Sequence, residues 1–124
     1  MSIRFLKSRT TLGVRNVPES IDFYGRAVGF GTMVTMGEPP NFALIGAGDT
    51  GLGLVEAEHP AVAGFACCYF DVEGVEELHQ RCLDAGATIT SSLTRHPWGN
   101  YDFVVADPDG HQLAFGEVPA PSSR

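Results

Sequence analysis

The sequence predicts an α+β fold in which two βαβββ modules form a half-open mixed β-sheet barrel around a pocket, with the helices outside. Three observations predict it. Short runs of strand length alternate apolar with small or polar residues, and two longer stretches carry a 3.6-residue period. The order of these segments over about residues 8–57 recurs over about residues 63–118. Residues 1–124 are read as a single domain, because two independent cores in a chain this short would each bury too little surface.

The first module opens with a strand over Arg9–Val14, in which Thr11, Leu12, Gly13 and Val14 alternate. Asn16-Val17-Pro18-Glu19 supplies helix-start chemistry: a cap, a proline in the first turn and an early carboxylate. The predicted helix Pro18–Val28 places Ile21, Tyr24 and Val28 on one stripe and ends at Gly29. Strands follow over Gly31–Met36, Asn41–Ile45 and Gly51–Glu56, separated by Gly/Pro-rich turns. The second module repeats the plan, with a strand over Gly64–Phe70 and a helix over Val72–Ala85 that Gly86 stops. Strands over Thr88–Leu93, Tyr101–Ala106 and Gln112–Gly116 complete it. Asp107-Pro108-Asp109-Gly110 marks the last turn, since Pro sets φ at its second position and Gly accepts an unusual one. Arg26 before Gly29 and Arg81 before Gly86 occupy matching places in the two modules.

Composition narrows the classes of function. The net charge of −7, with eight scattered basic residues, opposes binding to nucleic acid. It favours a cationic or polar ligand, or simply keeps the protein soluble. No apolar run approaches the roughly 20 residues that span a bilayer, and the first residues lack a long apolar segment and a small-residue cleavage site. A cytoplasmic protein without a membrane partner is therefore expected. The three cysteines show no framework or CxxC spacing, so a disulfide scaffold or structural zinc is not expected. Strand alternation around Cys67 and Cys68 predicts side chains on opposite faces, and all three thiols are expected to be reduced and buried. There is no Gly-x-Ser-x-Gly elbow, phosphate-cradling loop or His-Glu-x-x-His motif. The glycine-rich run Gly46–Gly53 precedes a strand and reads as a hairpin.

Two stretches carry a family resemblance. Leu12-Gly13-Val14-Arg15-Asn16-Val17-Pro18-Glu19-Ser20-Ile21-Asp22-Phe23-Tyr24, continuing to Val28-Gly29-Phe30, resembles the first signature of the glyoxalase, bleomycin-resistance and extradiol-dioxygenase (vicinal oxygen chelate) superfamily. His96-Pro97-Trp98-Gly99-Asn100-Tyr101-Asp102-Phe103 and Ala106-Asp107-Pro108-Asp109-Gly110-His111 resemble the second. The likeness runs from about Arg9 to Glu117, and Pro-Trp-Gly points to the bleomycin-resistance-like branch. That branch implies acidic homodimers that sequester a drug in grooves at the dimer interface, with aromatic side chains stacking on it.

The resemblance also implies where the site lies. A ligand-binding wall of Arg9, Trp98, Tyr101 and Phe103 is expected, with Phe42 and Glu56 as further contributors, because rigid aromatic faces attract flat or cationic ligands. For Tyr101 and Phe103 the plain alternative is ordinary packing of strand residues in the core. Trp98 follows a proline in a loop, a poor place for core filling. Metal-dependent members carry four His, Gln or Glu ligands on the first and last strands of each module. Carried over, those positions fall at about Arg9, Gly53, Gly64 and Ala114, none of which offers a side-chain donor for a divalent cation. Glu56 and Glu117 lie three residues past expected positions, an odd offset that points to the opposite face unless a bulge intervenes. His59, His79, His96 and His111 fall at no ligand position.

The expected function is thus metal-free binding of a small molecule, with no cofactor, no catalytic residue and a homodimer as the working form. The alternative is a metal-dependent glyoxalase-type lyase or extradiol dioxygenase, with a Lewis-acid metal stabilising an enolate or activating oxygen.

Overall fold

Asn16 starts the first helix as its side chain allows: Oδ1 accepts the Glu19 amide at 2.8 Å, with Pro18 in the first turn. In the computed structural model, which describes residues 2–58 and 66–118, eight strands and two helices follow the predicted order. The first module comprises β1 (Thr10–Val14), α1 (Val17–Phe23), a wide π-type turn (Tyr24–Val28), β2 (Gly31–Met36), β3 (Phe42–Ala47) and β4 (Thr50–Glu56). The second comprises β5 (Ala66–Asp71), α2 (Val75–Asp84), β6 (Thr88–Arg95), β7 (Tyr101–Ala106) and β8 (Gln112–Glu117). His59, Gly64, the start of the second module near residue 63 and the tail from Pro119 lie outside the described residues. No helix among the described residues is long and apolar enough to cross a membrane.

Each module makes one four-stranded mixed sheet, in the order β1-β4-β3-β2 and β5-β8-β7-β6. The first strand of each pairs parallel with the last, and the remaining pairs are antiparallel. The sheets are not closed into a barrel. Edge strands β2 and β6 both carry register shifts, which blunt their pairing edges.

The helices depart from the sequence reading in two ways. The last turn of the first widens, so that the amides of Gly29 and Phe30 both reach the Tyr24 carbonyl, at 2.9 and 3.1 Å. Its buried residues are Val17, Ser20, Phe23, Tyr24 and Ala27, with Ile21 and Val28 only partly covered. The second helix starts at Val75 rather than Val72, because Gly74 sits at φ 87° and breaks the run. Glu117 of β8 caps it, its Oε1 accepting the Val75 amide at 2.9 Å.

One core spans both modules. Leu12, Val14, Ile45, Leu52 and Leu54 pack beneath the first helix, and Val75, Cys82, Phe103, Val105, Leu113 and Phe115 around the second. An aromatic chain joins them: Tyr24 to Phe30 at 6.3 Å between centroids, Phe30 to Phe70 at 5.8 Å, Phe70 to Phe115 at 5.0 Å.

Polar clasps reinforce this join. Arg81 donates from Nε to the Arg26 carbonyl and from Nη2 to the Gly25 carbonyl, at 3.1 and 3.0 Å. Arg26 Nη1 donates to the Ala85 carbonyl at 3.2 Å. The two arginines matched by the repeat thus serve carbonyls at the end of each other's helix, which lack intrahelical donors. The Tyr24 hydroxyl donates to Asp107 Oδ2 at 2.7 Å, deep between the modules. Burial, then the Asp107 carboxylate, hold that phenol well above the usual tyrosine range, so it remains a donor. Asp107 Oδ1 accepts the amides of Asp109 and His111, both at 2.9 Å, and the His111 ring meets the Gly13 carbonyl at 2.6 Å.

Tyr24→Phe removes a donor from a buried carboxylate and leaves Oδ2 without this partner. A loss of about 1–3 kcal/mol is expected, read as a lower urea midpoint with an unchanged slope. An unshifted midpoint would show that the bond adds nothing net.

Candidate functional site

The strand period of two divides each sheet into a helix-facing side and an open side. In the first sheet the core residues Leu12, Val14, Ala43, Ile45, Leu52 and Leu54 face the helix. Thr11, Phe42, Leu44, Gly51, Gly53 and Val55 then fall on the open face. Gly53 lies directly beside Thr11, where an added Cβ would come within 2.9 Å of Oγ1. A Cβ on Gly51 would stand 3.6 Å from Met33 Cε and 4.0 Å from Arg9 Nε, which puts Met33 and Arg9 on the same side.

On the second sheet the open face carries a connected polar network beside an aromatic shelf. The β6–β7 turn is closed by the His96 amide to the Asn100 carbonyl at 2.8 Å and the Gly99 amide to the His96 carbonyl at 2.9 Å. This folds the Trp98 indole flat on the His96 ring, with centroids 4.6 Å apart and planes 2° from parallel. Trp98 remains 68% exposed, so its other face is open to a ligand. His96 Nε2 meets Asp102 Oδ1 at 2.7 Å, and Tyr69 donates to Asp102 Oδ2 at 2.9 Å. Asn100 Nδ2 donates to the Tyr69 hydroxyl oxygen at 3.2 Å. Desolvation raises the Tyr69 phenol above its usual range and Asp102 adds to this, against an opposing contribution from Asn100. The floor is flat: Ala114 pairs with Tyr69 and Val104, and Gly116 with Asp102. A Cβ on Gly116 would overlap the Tyr69 hydroxyl and come within 2.7 Å of Asp102 Cβ.

The expected wall is divided by this geometry. Trp98 and Phe42 lie on open faces, and Arg9 stands exposed beside Gly51 and Met33. Phe103 is fully buried on the helix side, with the His79 ring 5.0 Å and the Phe115 ring 5.8 Å away, so it is a core residue. Tyr101 shares that side: its hydroxyl donates to Glu76 on α2 at 3.0 Å, and the Arg95 guanidinium sits 4.3 Å over its ring. Glu56 continues the register of Leu52 and Leu54 to the end of β4, where it borders a shallow cleft with Arg15, Ala57 and Glu58. It does not share the open face with Trp98. Tyr69, Asp102, His96 and Asn100 are the residues that sequence reasoning passed over. The available signal was the turn: residues flanking Trp98 are necessarily its neighbours, and Asp102 alternates with the core residue Phe103.

The donor set does not fit the four-ligand metal site of metal-dependent relatives. Arg9 just ahead of β1, Gly53 on β4 and Ala114 on β8 stand at the expected positions without a side-chain donor for a divalent cation, and the position near Gly64 is outside the described residues. Glu117 is committed to capping α2. Among the described residues no group of three or more His, Cys, Asp or Glu side chains is placed to hold a metal ion.

Comparison with known proteins places this arrangement among relatives. The family model described as the Glyoxalase/Bleomycin resistance protein/Dioxygenase superfamily matches residues 8–115. A bleomycin resistance protein of Geobacillus stearothermophilus is 31% identical, over 89% of this chain and 95% of its own length. Among solved structures, TnmS3, an antibiotic binding protein from Streptomyces sp. CB03234, superposes with a TM-score of 0.77 at 20% identity, covering 96% of this chain and 99% of that one. A lactoylglutathione lyase from Agrobacterium tumefaciens superposes with a TM-score of 0.72 at 21% identity, covering 94% and 96%. At such identities the superpositions establish the fold alone, which a binding protein and an enzyme share.

Gly116→Ala tests the flat floor. It is expected to displace Tyr69, break its bond to Asp102 and cost about 1–3 kcal/mol of stability as overpacking. The loss of cross-strand NMR contacts between Tyr69 and Asn100, with the rest of the spectrum kept, would report the displacement.

Proposed function

Because the chain belongs to the glyoxalase/bleomycin resistance protein/dioxygenase superfamily, we propose that it is a metal-independent binding protein. It sequesters a partly aromatic or cationic small molecule, an antibiotic or a metabolite, in a groove between two copies of the chain. One observation carries this reading: the exposed Trp98 indole stacked on His96, with the Asp102 carboxylate bonded to the same imidazole. A flat ligand gains contact area on the open indole face at low entropy cost, and a cationic one gains from the π face and the adjacent carboxylate. The net charge of −7 draws the same class of ligand. The likeness to a bleomycin resistance protein over nearly the full length of both chains supports the assignment.

The second copy is needed because each open face lacks cover. Met33 is 56% exposed, Val34 41%, Met36 57% and Val55 39%, all on or beside the open face of the first sheet. Ile3, Phe5 and Leu6 lie exposed in the lead before β1. Exposed apolar residues of this kind favour association, and a partner's sheet would turn an open face into a walled groove. Val34→Asp is expected to convert a dimer into a monomer by light scattering. A wild-type monomer at micromolar concentration would contradict the reading.

Trp98 is the chain's sole tryptophan, so its fluorescence reports the site directly. Titration with bleomycin, and with other peptide antibiotics and aromatic metabolites, is expected to quench it for at least one class. Trp98→Ala, followed by calorimetry with that ligand, should weaken binding by more than ~1 kcal/mol, roughly fivefold. An unchanged affinity removes Trp98 from the site. Elemental analysis of protein purified without chelator is expected to find no stoichiometric Zn, Ni, Fe or Mn. Finding one would favour a metal-dependent lyase or dioxygenase instead.

A further inference from the structure

We propose that Cys67 and Cys68 form a vicinal dithiol site that captures a trivalent organic arsenical as a two-sulfur chelate. Alternation along a regular strand would send adjacent side chains to opposite faces, as the sequence predicts for this pair. The structure overturns that expectation. The β5–β8 register slips between Ala66 and Cys68, leaving Cys67 out of the ladder. The two Sγ atoms stand 3.9 Å apart, both thiols free, with Cys67 exposed and Cys68 half-buried.

The donor set selects the class of ligand. With no group of three or more His, Cys, Asp or Glu placed to hold an ion among the described residues, the pair does not suit a metal that needs three or four protein donors. Two soft thiolates match a soft acceptor with two open valences in a bent arrangement. An arsenic(III) centre carrying one organic substituent is such an acceptor, whereas mercury(II) prefers its two sulfurs in line and further apart. Beside Cys68 a cleft of about 360 Å³, bordered by Lys7, Thr10, Asp49, Gly51 and Tyr69, has room for the organic group. The thiols are also differentiated. The hydrogen bond shared with Cys68 lowers the Cys67 thiol to about 7 against the effect of burial, with His111 assisting, while Cys68 is pushed up. Cys67 is thus the first nucleophile at neutral pH, and Cys68 keeps its proton until the second step.

The reaction balances without a redox partner. The Cys67 sulfur bonds arsenic in R–As(OH)₂ and expels one hydroxide, which leaves as water with the thiol proton. The Cys68 sulfur then displaces the second hydroxide in the same way. Two As–S bonds replace two As–O bonds, two waters leave, and arsenic stays trivalent.

Phenylarsine oxide is the probe, and intact-mass measurement of the folded protein is the readout. One phenylarsenic per chain is expected, resistant to excess β-mercaptoethanol and released by 2,3-dimercaptopropanol. Cys82→Ser and Trp98→Ala should retain it, while Cys67→Ser and Cys68→Ser should lose it. In the wild type, prior loading should block two maleimide additions, a reading that needs no variant to fold. Failure to load, release by the monothiol, or retention in Cys67→Ser would overturn the proposal. Because loading does not pass through Trp98, this result and the fate of the small-molecule reading are separable.

Discussion

The buried hydrogen bond from Tyr24 to Asp107 is the contact on which the rest of the architecture depends. A carboxylate taken out of water must have its lone pairs filled or it destabilises the fold by several kcal/mol. Asp107 meets that demand with one donor from the first module and two amides from its own turn. The turn between β7 and β8, closed by its own backbone bonds, is thereby also tied to the end of the first helical stretch. His111 on the Gly13 carbonyl and Arg15 on Asp109, at 2.6 and 3.3 Å, extend the same junction to β1. The Phe23-Tyr24 and Asp107-Pro108-Asp109-Gly110-His111 motifs, far apart in sequence, are thus two halves of one contact.

Holding the modules together from the helix side has a consequence for the opposite side. The arginine clasps, the aromatic chain and the Tyr24–Asp107 bond all lie among or beneath the helices. The open faces carry little of this stabilising work, so residues there can take other roles without unsettling the core. Trp98, His96, Asp102 and Tyr69 occupy that freedom on one sheet. Met33, Val34 and Phe42 occupy it on the other.

The module order, both helices and nearly every strand were legible because hydrophobic period and turn punctuation are local properties of a chain. The repeat of Arg26 and Arg81 was visible too, though its purpose, reciprocal service to helix ends, was not. What escaped depended on long-range pairing. Alternation puts Tyr101 and Phe103 on one face but does not say which face meets the helix. The bulk of Phe103, Val105, Leu113 and Phe115 against the small Ala114 and Gly116 contains the answer once β7 and β8 are known to pair. Tyr69 reaches Asp102 across β8, a relation invisible before strand order is known. Glu117, considered as a stray metal ligand, caps a helix from another element, and the register slip at Cys67 has no local signature.

Small residues line the centre of the open faces, and the proposed binding function makes use of them. A chelating site needs side chains that rise from the strands and converge on a point, and the family resemblance implies that metal-dependent members carry them at positions matching Gly53 and Ala114. Here those positions hold one methyl group between them, flanked by Gly51 and Gly116. Removing side chains from the floor lowers it to the backbone, and a planar molecule can then lie along the sheet rather than coordinate end-on. Directional polar groups stand at the rim, where Asp102, Tyr69 and Asn100 form a hydrogen-bonded set. Under the proposed binding function, pre-ordered donors and acceptors beside a flat floor favour affinity through contact area and low reorganisation.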